Sequence, residues 1–193
     1  MRIAALLIGA ALSLPSANAG IVAYSAALNG ANESPSNASP GTGFAEVEID
    51  TVAHLLTVNI TFSDLEGLTT ASHIHCCTTT PLSGTAGVAT QTPTFTGFPL
   101  GVNSGTYSHT FDLTLSSSWN QAFINTHGGT AASAEAALDA GLAAGAAYLN
   151  IHSTFRPGGE IRGFLTPTPE PATFLLSALA LSGIALRRRK LSR

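Results

Sequence analysis

Three histidines carry the clearest chemical pattern in this 193-residue chain. Ser72-His73-Ile74-His75 places two imidazoles at i and i+2, hence on one face of a strand. Asn150-Ile151-His152 adds a third from a separate strand. Such a set can offer three nitrogens to Zn²⁺ or Cu²⁺, provided that they converge to ~2.0–2.1 Å from one ion. Glu160 is the candidate fourth ligand, with water as its alternative. It sits in Arg156-Pro157-Gly158-Gly159-Glu160-Ile161-Arg162-Gly163, which begins as a tight turn and ends as a strand. That spacing predicts His152 and Glu160 facing each other across the last hairpin. The competing reading is structural: His73, His75 and His152 join Asn150, Glu160 and Arg162 in a hydrogen-bonded cluster at the strand ends. Arg162 needs a partner in either case, because a buried cation without one is costly. His54, His109 and His127 are expected at the surface or in turns.

The only cysteines, Cys76 and Cys77, follow His75 directly. Four outcomes stay open for them: a vicinal disulfide, thiolates supporting the histidine site, intermolecular bridges, or free buried thiols.

Period-two alternation supplies the strands that position these groups. Phe44 to Asp50 puts Val47 and Ile49 on one face and Glu46, Glu48 and Asp50 on the other. Leu56, Val58, Ile60 and Phe62 point one way in the next segment, and Phe111, Leu113 and Leu115 in a third. With Ala147 to His152 and Ile161 to Leu165, these half-buried strands predict an all-β, antiparallel sandwich of Greek-key, immunoglobulin-like or superoxide-dismutase-like type. Two helical insertions are expected. One covers Trp119 to Thr126, the other Ser133 to Ala144 with Ser133 as N-cap and Glu135 in the first turn. Pro81 to Gly105 is expected to be a long loop with at most one strand.

Only 10% of the residues are charged, and most of the basic ones sit at the ends. Between Gly20 and Thr166 two arginines face ten acids, a net charge of −8. Such a surface repels phosphate backbones, which excludes nucleic acid as a partner. Met1-Arg2, the apolar run Ile3 to Leu14, then Pro15 and Ala17-Asn18-Ala19 form a secretory signal peptide over 1–19, cleaved after Ala19. Residues 20–166 form the folded domain. Residues 167–193 form a tail in which alternating prolines precede the apolar run Ala172 to Leu186 and Arg187-Arg188-Arg189-Lys190. As a helix that run is about 22 Å long, short for a bilayer core of ~30 Å. The cations behind it predict a cytoplasmic C-terminus.

Pro169-Glu170-Pro171, the hydrophobic stretch and the terminal arginines resemble the PEP-CTERM protein-sorting signal of Gram-negative bacteria. The resemblance implies processing by an exosortase, a membrane cysteine protease-transpeptidase. It also implies a transient inner-membrane stage through the C-terminal helix, followed by release to the cell surface or matrix. His73-Ile74-His75, Ala147 to His152 and Gly158-Gly159-Glu160-Ile161-Arg162-Gly163, in that order, resemble the CHRD (chordin-like) domain over roughly Ala23 to Leu165. That resemblance implies a β-sandwich and a site location rather than a reaction. One departure is Cys76-Cys77, where the family commonly has a small residue after the histidine pair.

The leading expectation is therefore a non-enzymatic, exported surface or matrix module that contacts exopolysaccharide or surface proteins. No phosphate-binding glycine motif, nucleophile elbow or paired-carboxylate spacing argues for an enzyme. No cofactor is required by that reading. The alternative is a metal-binding protein in which His73, His75 and His152 hold Cu or Zn.

Overall fold

The computed structural model describes residues 20–168. The expected signal peptide and the apolar run of the tail, both expected as terminal helices, lie outside the described residues. Among the described residues eight strands run in chain order: β1 Ile21–Asn29, β2 Thr42–Asp50, β3 Leu55–Ser63, β4 Thr69–His75, β5 Gly105–Asp112, β6 Tyr148–Ser153, β7 Ile161–Phe164 and β8 Thr166–Pro167. Two helices, α1 Gln121–Thr126 and α2 Ala131–Ala143, fall between β5 and β6.

All the strands belong to one antiparallel sheet, in the order β4-β6-β7-β1-β2-β3-β5 with β8 beside β1. The sheet curls into a half-barrel, so the two layers of the expected sandwich are the two limbs of one continuous sheet. Alternation explains why it curls with one face inward. Val47 and Ile49 of β2 and Leu56, Val58 and Ile60 of β3 are at most 1% exposed. Ile74 of β4 and Leu149 and Ile151 of β6 close on the same core from the other limb. Leu115 departs from the expected pattern: β5 ends at Asp112, and Leu115 is 52% exposed beyond it.

The segment between β4 and β5 has no long strand, as its Gly, Thr and Pro content predicts. It nevertheless completes the free edge of β4. Ser72 N–H donates to Thr94 Oγ1 at 3.0 Å, Ile74 N–H to Thr90 Oγ1 at 3.0 Å, and Ala89 N–H to the Ile74 carbonyl at 2.9 Å. These bonds cover the edge of the strand that carries two of the histidines, and such edges otherwise pair with other chains. From the same loop Phe95, fully buried, stacks on Tyr107 and packs on Phe111, which plugs the space between the limbs.

Both expected helices form, with corrected starts. Asn120 caps α1 by accepting from the Ala122 amide. Thr130 caps α2, and Ser133, the expected cap, is the third helical residue and bonds back to it in a capping box. Glu135 consequently lies beyond the first turn, where it receives His54 Nδ1 at 2.9 Å. His54 itself occupies the β2–β3 turn with φ 58°. His127 caps the C-terminal end of α1, and half-buried His109 stands on β5.

Candidate metal centre

Strand register decides which of the polar residues meet. On β4 and β6, His73 pairs with Asn150, His75 with Tyr148, and Ala71 with His152. On β6 and β7, Asn150 pairs with Arg162 and Tyr148 with Phe164. Directly opposed residues of antiparallel strands share a face. One face of this limb therefore carries His73, His75, Tyr148, Asn150, His152, Arg162 and Phe164. The other carries Ile74, Leu149, Ile151 and Ile161 into the core.

The three imidazoles converge. Ring centroids lie 5.3 Å apart for His73 and His152, 5.9 Å for His73 and His75, and 6.1 Å for His75 and His152. One nitrogen from each falls within 4.8 Å of the other two.

The backbone fixes which nitrogen of each ring is free to bind. His73 Nε2–H donates to the Pro93 carbonyl at 2.6 Å, His75 Nδ1–H to Ala86 at 2.9 Å, and His152 Nδ1–H to Pro157 at 2.8 Å. A carbonyl only accepts, so each of these ring nitrogens carries the proton and the opposite one is bare in a neutral ring. The bare atoms are His73 Nδ1, His75 Nε2 and His152 Nε2. Outer hydrogen bonds of this kind orient histidine ligands toward a metal.

His73 Nδ1 and His152 Nε2 stand 3.4 Å apart. Two nitrogens bound to one tetrahedral ion at ~2.05 Å would be ~3.3 Å apart. His75 Nε2 is buried with no hydrogen-bond partner. Leaving a buried acceptor unpaired is costly, and a cation at the meeting point would satisfy all three nitrogens together. Burial lowers the pKa of each ring, that of His73 to about 4, so the rings are neutral and able to bind metal at pH 7.

Glu160 is not part of this group. Its fully buried carboxylate turns away from His152 and accepts from Ser39 Oγ at 2.7 Å, the Glu66 amide at 2.5 Å and the Gly67 amide at 3.2 Å. Burial alone would raise its pKa, but these bonds and one from Ser153 outweigh that and lower it. The hairpin puts His152 and Glu160 close in sequence, yet the Gly158-Gly159 turn aims them at different neighbours. Glu160 thus fastens the β3–β4 connection to β7.

Asn150 and Arg162 sit beside the histidines, as the structural reading expects. Arg162 is 4% exposed and stacks over Tyr148, its guanidinium carbon 4.6 Å from the ring centroid. Tyr148 in turn stacks flat on His75 at 4.8 Å. Arg162 Nε–H donates to the Asn32 carbonyl and lies 3.8 Å from Glu33 Oε2. Glu33 is the residue that sequence reasoning passed over. Burial pushes its pKa up to about 7 against the opposing pull of Arg162 and the Ser34 amide. The need of Arg162 for an acid was legible, but nothing in the spacing singled out Glu33 from ten candidates. The three clamping carbonyls carried no signal either, since any residue has one.

Cys76 and Cys77 are joined in a vicinal disulfide, which selects one of the four open outcomes. Cys76 faces the core, on the side opposite His75, and Cys77 is exposed. Neither sulfur belongs to the group of converging ligand atoms.

Comparison with known families matches a CHRD domain model to residues 24–165 and a PEP-CTERM protein-sorting motif to residues 167–190. No curated protein and no solved structure matches the chain.

Proposed function

Because the chain belongs to the CHRD domain family and ends in a PEP-CTERM sorting motif, we propose that it is an exported metal-binding module, with His73, His75 and His152 taking one Zn²⁺ or Cu²⁺ per chain. The sorting motif marks the chain for export and for handling by an exosortase-type enzyme. Passage through the inner membrane on the apolar run at 172–186, with the cations left in the cytoplasm, and delivery to the surface or matrix complete the proposal. The observation that carries the metal reading is the set of three bare nitrogens. Each is fixed by a backbone carbonyl on the far side of its ring, two of them stand 3.4 Å apart, and one nitrogen of each ring lies within 4.8 Å of the other two. The role proposed is binding rather than turnover. Glu160, the first acid after His152 in sequence, is committed to structural donors and is not free to act as a base on a metal-bound water.

Metal analysis of the full-length protein purified in detergent tests this. About one Zn²⁺ or Cu²⁺ is expected per wild-type chain, and none in His73→Ala or His152→Ala. Failure of the wild type to take up either ion after exposure and desalting would refute the assignment.

A second role has its own support on the outer face of β2, β3 and β5. There Glu46, Glu48, Thr57, Asn59, Thr61, Thr106, Ser108 and Thr110 stand in register around Phe44, which is 46% exposed. Hydroxyls, an amide, two carboxylates and one exposed ring on the outer surface of the curled sheet suit contact with exopolysaccharide or a protein of the cell surface.

A further inference from the structure

Directly after His75 the chain leaves β4 through the bridged pair Cys76–Cys77. One short stretch of loop holds both the ligand and the bridge. His75 Nδ1–H donates to the Ala86 carbonyl at 2.9 Å, and Cys76 N–H donates to the next carbonyl, Gly87, at 3.1 Å. On the other side of the pair, Thr78 N–H is tied to the Ala146 carbonyl at 2.9 Å. A disulfide between sequence neighbours closes a ring of eight atoms. It removes most of the rotation between the two residues that anchor the end of β4.

Helix α2 is built around this ring. A Cβ on Gly141 would fall 2.2 Å from Cys76 Sγ and 2.5 Å from Cys77 Sγ, so only glycine lets the helix seat there. Mid-helix glycine costs ~1 kcal/mol relative to alanine, and here that cost secures contact with both sulfurs. Cys77 is an exposed residue, so a reductant can approach the pair from solvent, and the Ala137 carbonyl oxygen lies 3.6 Å from its Sγ. A Cys77 thiol would have an acceptor at hand.

We propose that Cys76–Cys77 is a redox-active pair that sets the metal affinity of the histidine triad, an inference that rests on the metal-binding reading above. Oxidised, the ring holds His75 where its bare nitrogen meets those of His73 and His152. An external dithiol reverses this in two steps. Its thiolate attacks Cys77 Sγ, the protein S–S bond breaks, and Cys76 leaves as a thiolate that takes a proton from water. The second thiol of the reductant then attacks the mixed disulfide, and Cys77 leaves as a thiolate that is protonated in turn. The protein pair gains two electrons and two protons, and the dithiol becomes a disulfide. The freed Cys76 cannot replace the lost order as a ligand, because it projects from the opposite face of the strand to His75. Reduction therefore loosens the site and releases the ion. In the oxidising surroundings of an exported protein the bridge is the resting state.

Zn²⁺ affinity decides the matter, measured by competition with a chelating dye on full-length protein in detergent. The oxidised form is compared with protein reduced by a dithiol and then freed of it under nitrogen. Reduction is expected to weaken binding at least tenfold, and reoxidation to restore it. Cys76→Ser/Cys77→Ser is expected to bind like the reduced form and to ignore the dithiol. Circular dichroism checks that each form keeps its fold. Equal affinity in the two redox states, or tighter binding on reduction, overturns the inference while leaving the metal site standing. An oxidised protein that binds neither Zn²⁺ nor Cu²⁺ overturns both.

Discussion

His73 shows how the fold prepares a single side chain. It stands on the face of β4 turned away from the core, donates one ring proton to the Pro93 carbonyl, and has its pKa lowered by burial to about 4. The unfolded chain takes up a proton on this residue near pH 6.5 and the folded chain only near pH 4. Its contribution to stability is thus complete above pH 6.5 and is lost as pH falls through about 4. At low pH the loss is on the order of 3 kcal/mol. Glu33 runs in the opposite sense: its raised pKa adds stability below about 4.5 that disappears as pH rises through about 7. A difference between variants separates the two. In metal-free protein, the melting temperature of wild type minus that of His73→Leu is expected to climb from pH 4 to 6.5 and level off above. A difference that stays flat over that range would mean that His73 titrates normally in the folded state.

Among the elements, α2 depends most visibly on a single position. Gly→Ala in the middle of an exposed helix ordinarily gains ~1 kcal/mol. At Gly141 the added methyl meets the two sulfurs at 2.2 and 2.5 Å, so overpacking of roughly 1–3 kcal/mol should reverse the sign. Chemical denaturation of Gly141→Ala is expected to show this loss, and the same change in a Cys76→Ala/Cys77→Ala background should be neutral or stabilising. An equal cost in both backgrounds would remove the disulfide from the explanation. The β3–β4 connection hangs similarly on Glu160. Glu160→Gln replaces one acceptor oxygen by a donor facing the Glu66 and Gly67 amides or Ser39. A loss of about 2–3 kcal/mol is expected, with Zn²⁺ uptake unchanged. Loss of the metal together with an intact fold would return Glu160 to the ligand set.

For the whole molecule, the two matched segments divide the work. Residues 24–165 build the sheet and its site, and residues 167–190 address the product. Changing Pro169-Glu170-Pro171 to alanines is expected to leave the protein in the inner-membrane fraction, with its metal content unaltered. Normal arrival of that variant at the cell surface would show that another feature directs sorting. Independence of delivery from metal content is itself a consequence of the layout, since the triad lies on β4 and β6 within the sheet and Pro169-Glu170-Pro171 follows β8.

How much of this could be read without coordinates follows from the range of each interaction. Alternation between neighbours, a local property, located β2, β3 and β6 and set Val58 and Ile60 inward, because a strand with the wrong register would expose its whole apolar set. The i and i+2 spacing of His73 and His75 put them on one face for the same reason, and the order of charge, apolar run and proline marked both ends. The N-cap of α2 slipped from Ser133 to Thr130 because both hydroxyls take part in one capping box. What the tertiary structure alone decided was long-range. It set the pairing of β4 with β6, which carries His152 to His73 across 79 residues, and the choice of Glu33 as the acid beside Arg162. It also turned Glu160 toward Ser39 and Glu66. Such contacts depend on where a curled sheet and its covering loop bring distant backbone together, and no local pattern of side chains encodes that.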